Sequence, residues 1–134
     1  MDGIARRARL ARSRLYLVLE ARPSGRDPGP LLDAALRGGT DIVQLRDKAL
    51  SDDELIRAAE PFRRACDAHG ALFILNDRPD LVERAGADGV HVGSEDMPFA
   101  EARRLVGDEP IVGLSATTAG ELEGEPDYWG VGAI

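Results

Sequence analysis

Asp41-Ile42-Val43-Gln44-Leu45-Arg46-Asp47-Lys48 reads as a buried strand running out into a charged loop. Ile42 and Val43 open it with β-branched bulk, and a period of two puts Ile42, Gln44, Arg46 and Lys48 on one side. Just beyond, Ser51-Asp52-Asp53-Glu54 has capping-box spacing. The helix it starts carries Leu55, Ala58, Ala59, Phe62 and Cys66 on one face, with Pro61 inside it as an expected kink. Ala71-Leu72-Phe73-Ile74-Leu75 is then a second continuous apolar run. Strand, helix and strand in this order specify a parallel pair joined by a right-handed crossover.

The same alternation extends both ways. Upstream, Leu15–Leu19 reads as a strand buried on both faces, followed by a Pro/Gly-rich loop and a helix over Leu31–Leu36 that ends at Gly38-Gly39. Downstream, Pro79 opens a short helix over Asp80–Ala85 and strand four is Gly89–Val92. Pro98 starts a helix with Phe99, Ala102, Leu105 and Val106 inward, stopped by Gly107. Strand five is Ile111–Leu114, Thr118–Gly124 has room for a turn or two of helix, and Tyr128–Val131 is strand six. Six such units fit an open doubly wound sheet or most of a (β/α)8 barrel. No Gly-x-Gly-x-x-Gly follows strand one, so the barrel is preferred. Asp41, Asp88 and Asp127 each stand just before a strand, at the end opposite a barrel's functional face, and are read as structural.

The 134 residues carry a formal charge of −7, which argues against nucleic acid or an anionic membrane as partner. No apolar run reaches the roughly 18 residues of a membrane span. The expected setting is cytoplasmic, with small-molecule partners, and a homo-oligomer is compatible with the composition. The single cysteine, Cys66, cannot form an internal disulfide and belongs to a helix's apolar face. Arg6, Arg7, Arg9, Arg12 and Arg14 mark residues 1–14 as a basic arm, solvated or a short helix, ahead of a domain over 15–134.

Gln44, Lys48 and Asn76 are the only Gln, Lys and Asn in the chain, and all three fall at the C-terminal ends of expected strands. An amide, a guanidinium and an ammonium climbing one strand face suit a ligand with a polar ring and an anionic tail. Asn76 both donates and accepts, as an aminopyrimidine edge requires. Asp77 and Asp96 each follow a strand, and those strands are barrel neighbours. They suit Mg²⁺ shared with a diphosphate, or alternatively helix N-capping ahead of Pro79 and Pro98. Ser115 closes strand five on the face of Ile111 and Gly113, placed for a phosphate oxygen. His91 is read as a hydrogen-bonded histidine on the core side of strand four, and His69 as a helix-end residue.

Val43–Lys48, Asn76–Leu81, Gly86–Gly93, Val112–Ser115 and Tyr128–Gly132 together resemble the thiamine phosphate synthase family. The resemblance implies a TIM barrel joining a hydroxymethylpyrimidine diphosphate to a thiazole phosphate, with Mg²⁺ and release of diphosphate. It assigns the stretch Gln44-Leu45-Arg46-Asp47-Lys48, with Asn76 and Ser115, to the pyrimidine diphosphate. Arg46 and Lys48 would act on the departing diphosphate, and Asp77 and Asp96 would hold the metal. Three departures accompany it: Ser94 stands where the family often has Gln, Ala116–Pro126 is short by roughly one helical turn, and a phosphate-gripping segment would begin after Ile134. The expectation is therefore a barrel truncated after strand six, with open edges and little turnover by itself. A thiazole tautomerase of the same fold, or a phosphate-ligand-binding remnant, are the alternatives.

Overall fold

The structure is a computed structural model that describes residues 1–93, 97–122 and 124–132. Six strands, β1 (Tyr16–Leu19), β2 (Ile42–Leu45), β3 (Leu72–Asn76), β4 (Gly89–Val92), β5 (Ile111–Ala116) and β6 (Tyr128–Val131), form one sheet in sequential order. Every neighbouring pair is parallel. Sequential order with right-handed crossovers places all connecting helices on one face and leaves the other to curl inward. The curl is visible in Tyr16 and Tyr128, on the first and last strands, whose rings meet edge-on at 5.6 Å between centroids.

The two strand faces feed two cores. Val43, Leu45, Phe73, Leu75, Val90, Val92, Val112 and Leu114 point outward against the helices α2 (Gly29–Arg37), α3 (Asp52–His69), α4 (Val82–Ala85) and α5 (Phe99–Val106). Ile42, Leu72, Ile74 and Ile111 fill the concave side. The capping box forms: Ser51 accepts from the Glu54 amide while Glu54 accepts from the Ser51 amide. α3 runs on as one helix past Pro61, and Cys66 is fully buried in the outer core.

The N-terminal arm is helix α1 (Gly3–Arg12), laid across the N-terminal end of the sheet with Leu10 packed on the concave core. Its arginines are not all solvated. Arg6 pairs with Asp88 at 3.1 Å and Arg7 with Asp127 at 2.8 Å. Each pre-strand carboxylate also ties down a neighbouring strand: Asp41 accepts from the Arg14 and Leu15 amides, Asp88 from Phe73, Asp127 from Val112. The structural reading of these three aspartates holds.

Two expectations fail. β1 is not buried on both faces: Tyr16 is 37% and Val18 48% exposed, and Leu15 just before it is 55% exposed. β1 pairs only with β2 and so is a sheet edge, without a neighbour to cover it. Leu105, expected inward, is 49% exposed, because Ala102 makes the close contact of α5.

Candidate active site

The strand C-termini open into a cavity of about 410 Å³ on the concave side. Gln44, Arg46 and Lys48 enter it from β2 and the loop beyond, Asn76 from the end of β3, and Ser115 from β5. The period of two accounts for this, since each of these residues continues the inward face begun by Ile42, Leu72 or Ile111. Gln44 is buried (4% exposed), while Arg46 and Lys48 stand exposed at the rim. A ring would thus meet amides inside, and an anionic tail would meet cations at the edge.

The intervening residues go the other way. Leu45 is fully buried in the outer core. Asp47 accepts from the Ala21 and Ala49 amides and faces a larger outer groove of about 890 Å³ between α2 and α3. Neither is brought to the concave cavity. The outer groove is walled by surface charge such as Asp33, Arg57 and Glu60, with Ala21 and Arg22 from the loop after β1.

Sequence reasoning missed the two tyrosines. Gln44 Nε2 donates to the Tyr16 hydroxyl at 2.8 Å, and Tyr16 is hydrogen-bonded in turn to the Tyr128 hydroxyl. Tyr128 meets His91 Nδ1 at 2.9 Å, and His91 Nε2 meets Ser115 Oγ. His91 is hydrogen-bonded, as expected, but it lines the cavity and stacks on Tyr128 at 5.5 Å. Tyr16 shows its ring at the sheet edge, yet its hydroxyl is tucked into the cavity. Burial raises its pKa against the opposing bonds from Tyr128 and Gln44. Burial, then the nearby Tyr16, drives the Tyr128 pKa up further. Both phenols are therefore neutral at physiological pH. The usable signal was that these are the only two tyrosines, each opening a strand on its inward face.

Asp77 begins the turn after β3 at φ 57°, followed by Arg78 at φ 60°. Two successive non-glycine residues in the left-handed region cost roughly 1–3 kcal/mol each. Arg78 is held there by ion pairs with Asp52 and Asp80, and the Asp77 amide donates to the His91 carbonyl at 2.8 Å. The N-cap of the helical turn at Pro79 is Arg78, which makes no side-chain cap hydrogen bond. Asp96 lies outside the described residues. Among the described residues no group of three or more His, Cys, Asp or Glu gathers as a metal cage. Mg²⁺ commonly takes only one or two carboxylates and completes its shell with substrate phosphates and water, so Asp77 fits that chemistry without such a cage.

A family model for thiamine monophosphate synthase matches residues 15–134. The chain belongs to that family. Among its relatives, the thiamine-phosphate synthase of Thermobifida fusca is 48% identical over 121 residues, which is 90% of this chain and 55% of that protein. A thiamine-phosphate synthase from a Nostoc species is 43% identical over 98% of this chain and 38% of its own length. The solved thiamine phosphate pyrophosphorylase of Pyrococcus furiosus superposes with a TM-score of 0.75 at 27% identity, covering 96% of this chain and 62% of that one. The chain thus spans about half the length of the curated relatives it matches. The thiamine monophosphate synthase fold and the sequential half-barrel agree. No helix among the described residues is long and apolar enough to cross a membrane.

Proposed function

We propose that the concave cavity holds an aminopyrimidine diphosphate, and that the chain serves a transferase joining it to a thiazole phosphate in thiamine biosynthesis. The observation that carries this reading is the convergence of Gln44, Arg46, Lys48, Asn76 and Ser115, from three strands, on one cavity. Gln44 and Asn76 read the ring edge, and Ser115 bonds a phosphate oxygen. Arg46 and Lys48 meet the diphosphate at the rim as fork and point charge. In the reaction the methylene C–O bond breaks and diphosphate leaves with the electron pair. The pyrimidine amino group stabilises the cation, and the thiazole nitrogen lone pair forms the new C–N bond. Such a step needs the leaving charge neutralised more than it needs a base, and Arg46 and Lys48 supply that here. Asp77 and Asp96 are proposed to hold Mg²⁺, which when bound would share that neutralisation. A cytoplasmic setting with small-molecule partners belongs to the same proposal, supported by the charge of −7.

The test is calorimetric titration of the pyrimidine diphosphate with and without Mg²⁺. Asp77→Ala and Asp96→Ala should each weaken the Mg²⁺-dependent part of binding and leave thiazole phosphate affinity unchanged. Unchanged diphosphate affinity with Mg²⁺ in both variants would remove the metal assignment.

A further inference from the structure

The cavity's polar groups do not act separately. We propose that Gln44, Tyr16, Tyr128, His91 and Ser115 form one directional hydrogen-bond chain that sets both ends of the cavity together. The direction of that chain decides whether Ser115 gives a proton to a ligand acceptor or spends it on His91.

The direction follows from counting protons. A neutral hydroxyl with two partners donates to one and accepts from the other. Tyr16 accepts from Gln44 Nε2, so its own proton goes to Tyr128. Tyr128 is then an acceptor toward Tyr16 and donates to His91 Nδ1. A neutral imidazole that accepts at Nδ1 carries its proton on Nε2, and that proton goes to Ser115 Oγ. Ser115 is left with its own proton to give into the cavity. At the other end, Gln44 gives one N–H to Tyr16 and keeps its carbonyl and second N–H for other partners. Turning the Gln44 amide over reverses every bond: His91 becomes the Nδ1–H tautomer, and Ser115 spends its proton on the ring. Each bond polarises the next, so the intermediate arrangements, with two donors or two acceptors facing each other, are disfavoured.

The chain therefore sets what Ser115 offers a ligand. In the orientation present, the Ser115 hydroxyl gives to an anionic oxygen. An aminopyrimidine diphosphate supplies one, and this identification of the ligand rests on the reading above, whereas the chain of bonds does not. Tyr16, Tyr128 and His91 are positioning residues in this scheme.

The test reads the proton on His91 directly and uses no ligand, so its failure is distinct from a failure of the proposed function. In the ¹⁵N-labelled chain, long-range ¹H–¹⁵N correlation distinguishes the two neutral ring tautomers from each other and from the imidazolium. An imidazolium that persists throughout an alkaline titration would overturn the proposal. His69 is the only other histidine, and His69→Gln assigns the signals. The wild-type chain should show His91 as the Nε2–H tautomer. Gln44→Glu places an acceptor-only carboxylate against Tyr16, which must then donate to it. His91, two tyrosines away, should switch to Nδ1–H. A merely space-filling Gln44 would not move that proton. If the buried carboxylate abolishes the folded amide spectrum, Gln44→Met serves instead. It removes the donor that sets the direction, and the Nε2–H preference should fall to a mixture. A wild-type Nδ1–H tautomer, or a His91 tautomer unchanged by the substitution at Gln44, overturns the proposal.

Discussion

Gly113→Ala should destabilise the chain and disturb the cavity in one stroke. A methyl on Gly113 would sit 2.5 Å from Cε2 of Tyr128 and closer still to Cζ and Cε1. Carbon atoms rest at about 3.5–4.0 Å, so the ring would have to retreat by about 1.5 Å. It has nowhere to go without loss, because its hydroxyl is bonded to both Tyr16 and His91 and its face stacks on His91. Overpacking costs about 1–3 kcal/mol, and each hydrogen bond broken adds about 0.5–1.5 kcal/mol. The expected loss is on the order of 2–6 kcal/mol, a large part of the roughly 5–15 kcal/mol of a typical domain. Urea denaturation should show a lower midpoint at unchanged slope. Gly120→Ala is the control: the nearest atom to its added methyl is the Thr118 hydroxyl at 3.9 Å, and the change should stay within about 0.5 kcal/mol. Adding Tyr128→Ala to Gly113→Ala should remove the clash, so the pair should cost little more than Tyr128→Ala alone. A Gly113→Ala variant as stable as the parent would refute the packing described here.

Asp88→Ala should cost about 1–3 kcal/mol, read by the same denaturation, because it leaves the buried Phe73 amide without its acceptor, takes the ion pair from Arg6 and leaves Arg63 with Asp67 as its ion-pair partner. Burial pushes Asp127 up, but the Val112 amide, then Arg103 and Arg7, outweigh it and hold the carboxyl below its ordinary value. The unfolded chain then binds that proton more readily. The stabilisation is complete above about pH 4 and fades as pH falls through the folded-state pKa. The stability gap between the parent and Asp127→Asn should be full at pH 7 and shrink as the solution is acidified below about pH 4. A gap that widens in acid would contradict the sign. Burial pushes the Cys66 thiol up to about 12, so a thiol reagent at neutral pH should label it only as fast as the chain opens, and faster in urea. Prompt stoichiometric labelling in native buffer would contradict its place in the core.

The parallel architecture was legible because β3 is apolar through Leu75, and β2, β4 and β5 interrupt their apolar runs only at Gln44, His91 and Ser115, which line the cavity. β1 carries the same kind of run, and only the strand order reveals it as an edge, since edge and centre differ in neighbours and not in composition. The period of two put Gln44, Arg46 and Lys48 on the cavity side and, by the same rule, Leu45 and Asp47 on the other. A resemblance taken over a whole stretch carried the last two along. The role of α1 could not be read locally: Arg6 reaches Asp88 across 82 residues and Arg7 reaches Asp127 across 120. The tyrosine pair escaped for the same reason. Tyr16 and Tyr128 are 112 residues apart and meet only because the sheet curls.

The most direct test of the cavity as the pyrimidine diphosphate site compares affinity across the two faces of one strand and its neighbours. Gln44→Ala, Asn76→Ala and Ser115→Ala alter the concave cavity, whereas Asp47→Asn alters the outer groove and keeps one acceptor oxygen for the backbone amides of Ala21 and Ala49. Calorimetric titration with the aminopyrimidine diphosphate and Mg²⁺ should show each cavity variant binding at least about tenfold more weakly, the worth of about 1.4 kcal/mol, with Asp47→Asn like the parent. Loss of binding in Asp47→Asn alongside unchanged affinity in the cavity variants would move the site to the outer face and contradict the account.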